Sequence, residues 1–492
     1  MSSGAALLQL ICTENTDEYL CKRENSFKYS YDKINKFSKI NYRVDFENLP
    51  QLYTNDDTTE KVFYSNNLAN KGDLLEKLYF CCTLPEIYAN NSLKFRWVKK
   101  IGLKIIKSIE FQIGATTVQK FTNHWLNIVE ELLNDNCGYN KMIGNVEELT
   151  NPHVTNNKKI VISNNRFNFY YYPNSDRENN IPSIRKYDLR VPLPFWFCKD
   201  ASMALPMLLF QNNPIKIKII LEDSEKLYQV YSEKLNRYIS PRLYNDLERL
   251  DNPSHNDITL SSFLKETNSN NVIDIKSHLL STNIYLDREQ YREYKKKVMH
   301  EYLFDDIIEF NDDLRLNNNE QTINLNVISK PLKEIFWVIY RDNNDHTNEH
   351  FNYTASISEQ DNYDILEYAT YKIANEYLIF EEIDNNYFDN IQPYEYHSNV
   401  PRNKGIYMYS FSLDPEGKDS SGHFNAVIDN KLKLKIKTYN DNDGNYNLQR
   451  IVDQKFKNNN LNLDVSKYKI KIFLVCHNFL NITNGTANLK LI

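Results

Sequence analysis

The sequence predicts an all-β protein with two consecutive sandwich-type units and a few short helices in the loops. Apolar and polar residues alternate with a period of two in several segments, which is typical of strands that bury one face. Segments with helical periodicity are few and short, and a polar stretch after residue 222 separates two strand-rich halves. Each half has about 200 residues, a size that suits one eight-stranded sandwich with long loops.

The individual strands are predicted from the alternation. In each of them the apolar side chains lie on one face and Lys or Asn on the other, so the apolar face must pack against a second sheet. The segments with this pattern are Ile215–Ile219, Ile323–Val327, Lys431–Lys437, Tyr468–Leu474 and Ala487–Ile492. The segment Glu334–Tyr340 is apolar after its first residue and is predicted to be a strand covered on both faces.

Four helices are predicted. Phe121–Leu133 has apolar residues at helical spacing, and Asp287–Met299 is charged and expected to be solvated. A helix over Asp200–Gln211 would use its first residue as N-cap, although Pro206 limits its regularity. A fourth helix is expected within Ser224–Leu250.

The division of the chain follows from these patterns. Residues 25–222 are predicted to form the first unit and residues 272–492 the second, with residues 223–271 as a linker or insertion. That stretch is polar and contains the runs NPSHND and ETNSNN, a composition typical of loops. Residues 1–24 precede the first strand-rich region as a separate N-terminal segment.

Composition excludes several classes of protein. Hydrophobic residues make up 41% and charged residues 25%, which argues against a disordered, collagen-like or membrane-spanning chain. The formal net charge of −6 argues against binding nucleic acid through bulk charge. The seven Cys residues are scattered without a C-x-x-C pair, as expected for reduced thiols in the cytosol.

No catalytic, cofactor-binding or metal-binding residue is predicted, and no cofactor is expected. His346 and His350 have the H-x-x-x-H spacing of a zinc pair, but they lie in a polar, Asn-rich segment that is expected to be a solvated loop. Phosphate-binding, nucleophile-elbow and kinase motifs are absent from the sequence. The basic run Lys295–His300 follows several acidic residues and is interpreted as one face of a charged helix.

An aromatic and apolar segment at Val191–Leu221 has two interpretations. Phe195, Trp196 and Phe197 are either part of the core or anchors of a subunit interface, because aromatic side chains dominate both environments. The pattern favours the core.

At this segment the chain resembles a known family. The stretch VPLPFWFCKDASMALPMLLFQNNPIKIKI, Val191–Ile219, resembles a signature of the major capsid proteins of nucleocytoplasmic large DNA viruses. Further blocks resemble the family in the same order, namely Ile109–Leu132, Leu325–Arg341 and, most closely, Ile391–Asn430. Together these blocks span nearly the whole chain.

The resemblance implies a double jelly roll, with two eight-stranded sandwiches in each chain. Three chains would form a homotrimeric, pseudo-hexagonal capsomer that tiles an icosahedral virion shell. The implied partners are further copies of the chain, neighbouring capsomers, minor capsid and penton proteins, and, at the base near residues 1–24, the surface of an inner virion membrane. No direct nucleic-acid binding is expected. The implied location is the virion capsid, assembled in a viral factory in the host cytoplasm.

The Asn-rich segments at residues 151–180 and 342–362 would then be solvent-facing loops at the top of the capsomer. Three other functions remain open at this point. One is a scaffold protein of the same fold that shapes a viral membrane during assembly. The others are a carbohydrate-binding jelly-roll lectin, since exposed Tyr and Trp can stack on sugars, and a cupin-like metal enzyme.

Overall fold

The structure is a computed structural model of the 492-residue chain. The residues it describes are 36–47, 51–53, 62–65, 71–133, 137–152, 173–210, 214–265, 272–315, 320–325, 330–341, 344–355, 364–373, 377–425, 432–439, 467–483 and 485–489. The N-terminal segment 1–24 and most of the predicted loop at residues 151–180 lie outside these ranges.

The first half of the chain forms one sandwich around a shared apolar core. Its strands are β1 (Phe37–Val44), β2 (Gln51–Tyr53), β3 (Val62–Ser65), β4 (Leu74–Leu84), β5 (Phe95–Trp97), β6 (Ile106–Ile113), β7 (Thr116–Thr122), β8 (Tyr187–Pro192), β9 (Leu205–Pro206), β10 (Ile215–Leu221), β11 (Tyr228–Ser232), β12 (Arg237–Ile239), β13 (Val272–Asp274) and β14 (Ser277–Leu286). One sheet has the strand order β1-β14-β4-β8, with β9 added to β4, and a second sheet has the order β3-β10-β6-β7. Smaller sheets join β12-β11-β5 and β13-β2.

Strand β14 shows how the chain passes between the two halves. It pairs antiparallel with both β1 and β4, for example Leu279 with Phe80, so it lies inside the first sheet. The preceding stretch, residues 223–271, is folded where the structure describes it, because it contains the β11–β12 hairpin and buried side chains such as Val230 and Phe263. The chain therefore leaves the first sandwich and returns to it before the second begins.

The second half forms another sandwich, with sheets of order β15-β23-β17-β20 and β16-β22-β18-β19. Strands β21 and β24 are added to β17 and β23. These strands are β15 (Met299–Arg315), β16 (Glu320–Asn324), β17 (Pro331–Arg341), β18 (Leu366–Ile373), β19 (Tyr377–Asp384), β20 (Ile406–Ser410), β21 (Phe424–Asn425), β22 (Leu432–Thr438), β23 (Lys467–Thr483) and β24 (Thr486–Leu489).

The predicted strands are confirmed as far as the described residues reach. Ile215 and Ile217 are buried on β10 and alternate with half-buried lysines, so one face of the strand packs on the core. Strand β17 is buried at nearly every position, because one side faces its own sandwich and the other faces the first. Its apolar sequence reflects this double cover.

The helices are short and lie in connections. They are α1 (Ile101–Lys104), α2 (Asn123–Leu133), α3 (Cys137–Met142), α4 (Glu147–Thr150), α5 (Pro241–Asp251), α6 (Arg288–Lys296), α7 (Asn344–Thr347) and α8 (Gln392–Tyr396), with a π-helical turn at Tyr387–Ile391 before α8. Helix α6 begins as predicted, because the Asp287 carboxylate accepts a hydrogen bond from the Gln290 amide at 2.9 Å. Among the described residues no helix combines the length and the hydropathy needed to cross a bilayer.

The predicted helix at Asp200–Gln211 is wrong. Asp200 does act as a cap, accepting from the Ser202 amide at 2.8 Å, but it caps only a 3₁₀ turn at Ala201–Met203. The chain then extends into β9, where Pro206 lies opposite Leu74 of β4. Proline cannot supply the amide that a helix interior needs, so the helical pattern breaks there.

The expectation of a solvated loop around His346 and His350 is also wrong. His350 is only 7% exposed, and its Nε2 lies 2.9 Å from the carbonyl oxygen of Lys226. The Asn348 side-chain amide donates to the carbonyl oxygens of Glu225 and Tyr228 at 2.6 and 2.7 Å. Polar side chains are buried here because they satisfy backbone acceptors in residues 225–228.

Candidate functional site

The two sandwiches meet along helix α2 and one face of the sheet that contains β17 and β23. Trp125 of this helix packs on Phe336 and Phe473, with ring centroids 5.6 and 5.5 Å apart. Trp196 packs on Phe304 of β15 at 5.4 Å. Each contact joins an aromatic ring of the first unit to one of the second, so the junction is a continuation of the core.

The aromatic segment of the sequence lies beside this junction, and Trp196 is its contact with the second unit. Phe195 and Phe197 are 0% exposed and Trp196 is 1% exposed. Phe111 of β6 lies within 5.5 Å of all three rings, measured between centroids. The core interpretation is confirmed, and the alternative of a subunit interface is wrong for these side chains, since they have no surface left to offer to another chain.

A buried ion cluster lies at the same junction. The Lys100 ammonium group contacts the carboxylates of Glu130 and Glu131, and the side chains of all three are at most 7% exposed. Glu131 also accepts from the Arg402 amide and from the Asn403 side chain, both at 2.9 Å. Burial raises the pKa of Glu130, and the nearby Lys100 opposes that rise. The cluster ties helix α2 to a loop of the second unit.

A second cluster surrounds Asp305 of β15. Lys199 lies 2.6 Å and Lys333 lies 3.1 Å from its carboxylate, and the His477 ring lies at 3.6 Å. Burial alone would raise the pKa of Asp305, but these partners outweigh it and hold the pKa far below its usual value. Lys199 comes from the first unit, so this cluster also joins the two sandwiches.

A buried histidine completes the set. His397 follows helix α8, and its two ring nitrogens lie 2.9 Å from a Glu334 oxygen and 3.0 Å from a Glu416 oxygen. Burial would lower the pKa of His397, but the two carboxylates raise it to about 9. The pKa of Glu416 falls to about 2, because hydrogen bonds from His397 and Ser398 outweigh its partial burial. His397 is therefore a cation at neutral pH.

A cavity of about 300 Å³ lies between the units. Its wall is mainly apolar and includes Trp125, Leu132, Trp196 and Phe336, with His397 and Glu416 at one side. A second cavity of about 530 Å³ lies in the first unit beside the other flank of helix α2. The ionisable groups that border the first cavity are already paired with one another.

The sequence predicted no catalytic, cofactor or metal residues, and the polar groups found at the junction are ones it did not identify. In the described part of the chain, no three His, Cys, Asp or Glu residues are arranged to hold a metal ion. His397 and Glu416 lie in Ile391–Asn430, one of the blocks that resemble the family. That resemblance was the one feature of the sequence that drew attention to this region. Their partner Glu334 is 63 positions away from His397, so no local spacing could have paired them.

Comparison with known proteins gives a consistent result. A family model described as "Large eukaryotic DNA virus major capsid protein" matches residues 292–488, and one described as "Major capsid protein N-terminus" matches residues 26–260. Probable capsid protein 4 of Acanthamoeba polyphaga mimivirus is 24% identical, over 89% of this chain and 94% of its own length. The major capsid protein of Pyramimonas orientalis virus is also 24% identical, over 87% and 90%.

Solved structures show the same fold. The quasi-atomic model of the PBCV-1 virus capsid matches with a TM-score of 0.65 at 16% identity, over 94% of this chain and 99% of that one. The Faustovirus major capsid protein matches with a TM-score of 0.63 at 12% identity, over 95% and 94%. The predicted fold class, all-β with two consecutive jelly rolls, is confirmed.

Proposed function

The chain belongs to the family of large eukaryotic DNA virus major capsid proteins, and from this we propose that three copies form a pseudo-hexagonal capsomer that tiles an icosahedral shell. Its role in the virion capsid is structural rather than catalytic. The observation that carries the proposal is the presence of two sandwiches in one chain. Three such chains supply six similar units, which is the number that a six-sided outline requires.

The junction between the sandwiches supports this geometry. A capsomer keeps a constant outline only if the two sandwiches of each chain keep a fixed orientation relative to each other. Trp125 and Trp196 continue the core across the junction, and the ion clusters around Lys100 and Asp305 allow few arrangements of their partners. Removing one partner from a buried cluster costs about 3–5 kcal/mol, so alternative orientations of the two units are strongly disfavoured.

The domain limits are part of the proposal. We propose a first jelly roll that begins after the N-terminal segment 1–24, includes the insertion 223–271 and ends with β14 at Leu286. The second begins with β15 at Met299, which moves its start from residue 272 to the far side of helix α6. The pairing of β14 with β1 and β4, and of β15 with β23, supports this division.

We propose four further partners, namely neighbouring capsomers, minor capsid proteins, penton proteins and the surface of an inner membrane. Residues 1–24 are proposed to lie at the base of the capsomer. Assembly is proposed to take place in a cytoplasmic viral factory, without direct binding of nucleic acid. The net charge of −6 supports the absence of nucleic-acid binding, since a protein that wraps nucleic acid needs positive charge.

Deleting residues 1–24 is expected to leave capsomers intact and to impair particle assembly. Loss of the capsomer itself would contradict that placement.

The capsomer is tested by size-exclusion chromatography with light scattering on the purified chain. A species near three times 58.3 kDa is expected, with a six-sided outline in negative-stain images. A single copy that remains stable across the accessible concentration range would contradict the proposal. Presence of the protein in purified mature virions distinguishes a permanent capsid subunit from a transient scaffold.

A further inference from the structure

The buried cluster at Lys100 contains a further contact besides its ion pairs. The Lys100 ammonium group donates to the side-chain oxygen of Asn127 at 2.8 Å, while it also contacts Glu130 and Glu131. Asn127 is fully buried, and the other three residues are at most 6% exposed. An amine, a carboxamide and two carboxylates therefore meet in a place from which bulk water is largely excluded.

The Asn127 carboxamide is held at both of its polar atoms. Its oxygen accepts from Lys100, and its nitrogen donates to the hydroxyl oxygen of Tyr353 at 3.4 Å. Because the carboxamide oxygen is bonded directly to Cγ, its contact with Lys100 places the amine nitrogen beside the carbon that an amine attacks. Fixed proximity of this kind replaces a slow encounter between two weak reactants.

Glu130 is placed to move protons between the two nitrogens. Its carboxylate contacts the Lys100 nitrogen directly. Burial raises the pKa of Glu130, so this side chain takes up a proton more readily than an exposed glutamate does. An amine attacks only in its neutral form, and an amide nitrogen leaves only after it has gained a proton. One carboxyl group that first accepts and then donates a proton serves both needs.

We propose that Lys100 and Asn127 form an intramolecular isopeptide bond, with Glu130 as the catalytic residue. The Lys100 ammonium group gives one proton to Glu130, and the neutral amine attacks Cγ of Asn127 to form a C–N bond. Glu130 passes its proton to the Asn127 side-chain nitrogen, the bond between that nitrogen and Cγ breaks, and ammonia leaves. The attacking nitrogen then gives a second proton to Glu130, which ends as the neutral acid. The step consumes no other reactant.

The bond closes a covalent loop that contains β6 and β7 of the first sandwich. One end of the loop is the residue before α1, and the other end lies in the middle of α2, the helix that packs on the second unit. A covalent cross-link, like a disulfide, stabilises a fold mainly by restricting the unfolded chain. The bond forms within one chain, so it goes beyond the proposed function and does not depend on the association of copies.

The test is mass spectrometry of the purified, folded full-length chain, first intact and then after digestion. The intact mass is expected to be lower than the mass of the unmodified chain by one molecule of ammonia. The digest is expected to contain a branched peptide in which Lys100 is joined to Asn127. A folded wild-type chain that yields only the two linear peptides overturns the proposal, and so does a loss of ammonia that maps to another asparagine. Neither result requires a variant to fold.

Three variants test the roles of the side chains. Lys100→Arg keeps a cation beside the two carboxylates but removes the amine, so the branched peptide should be lost. Glu130→Gln should leave most of the chain linear at a time when wild type is fully branched, because general acid–base catalysis contributes about 100-fold or more to a rate. Lys104→Arg is the matched control, since Lys104 is equally buried (5%) but pairs with Glu222 at 3.0 Å. It should keep the branched peptide. Branching of Glu130→Gln at the wild-type rate would overturn the role of Glu130.

Discussion

Replacement of His397 by Gln should remove a pH-dependent part of the stability of this protein. The His397 side chain is 6% exposed and lies between the carboxylates of Glu334 and Glu416. Its pKa is raised from the ordinary 6.5 to about 9. At 1.36 kcal/mol per pKa unit, this difference corresponds to about 3 kcal/mol of folding free energy.

The sign of the effect follows from the direction of the shift. A group whose pKa is higher in the folded state binds its proton more tightly there, so its contribution is complete below about pH 6.5 and is lost as the pH rises through about 9. Wild type should therefore lose about 3 kcal/mol of unfolding free energy relative to the variant between pH 6 and pH 10. His397→Gln should be less stable than wild type at pH 6, and the difference should shrink as the pH rises.

The assay is urea unfolding at fixed protein concentration across this pH range, analysed by linear extrapolation. His278→Gln serves as the matched control, because burial lowers the pKa of His278 and the side chain stays neutral over most of the range. Subtracting the unfolding free energy of the variant from that of wild type at each pH cancels the contributions of groups that titrate elsewhere in the protein. Parallel pH profiles of wild type and His397→Gln would contradict this prediction.

Three further predictions concern buried polar groups and one turn. Lys100→Met leaves the carboxylates of Glu130 and Glu131 buried without their cation and should cost about 3–5 kcal/mol in urea unfolding; adding E130Q and E131Q should recover part of that loss. Burial and a neighbouring carboxylate raise the pKa of Asp389 from 3.8 to about 7, so wild type should lose stability as the pH rises from about 4 to about 7, and Asp389→Asn should flatten that decline in thermal unfolding. Gly405→Ala should lower the melting temperature by several degrees, because the residue has φ +92° and a Cβ there would clash with the backbone oxygen of Tyr353. An unchanged melting temperature would contradict this prediction.

Strands were the most predictable elements, because each depends on a pattern within a few residues. The alternation at Lys431–Lys437 predicts a strand, and the structure has β22 at Leu432–Thr438 with alternate residues buried. Helix α2 lies within the predicted Phe121–Leu133, although it begins at Asn123 because the preceding residues complete β7. In both cases the local period decides which face meets the core.

Predictions from the sequence failed where contacts with distant parts of the chain override the local pattern. The helix expected at Asp200–Gln211 gives way to an extended segment, because Pro206 fits beside β4 and cannot continue a helix. His350 looked solvated from its polar neighbours, yet it is buried against a backbone carbonyl more than a hundred positions away. Composition describes the neighbours in sequence and contains no information about these contacts in space.

The all-β class, the two sandwich-sized halves and the capsid family could be predicted without coordinates, because period-two patterning and long ordered motifs are properties of the amino-acid sequence. The folded structure was needed to establish that β14 belongs to the first sheet, that Trp196 packs on Phe304 across the junction, and that His397 is held between two carboxylates. Strand order and ion pairing depend on which surfaces meet after folding. The packing of the entire core determines which strands pair and which ionic groups come into contact. The residues involved are too far apart in the sequence for a local pattern to predict them.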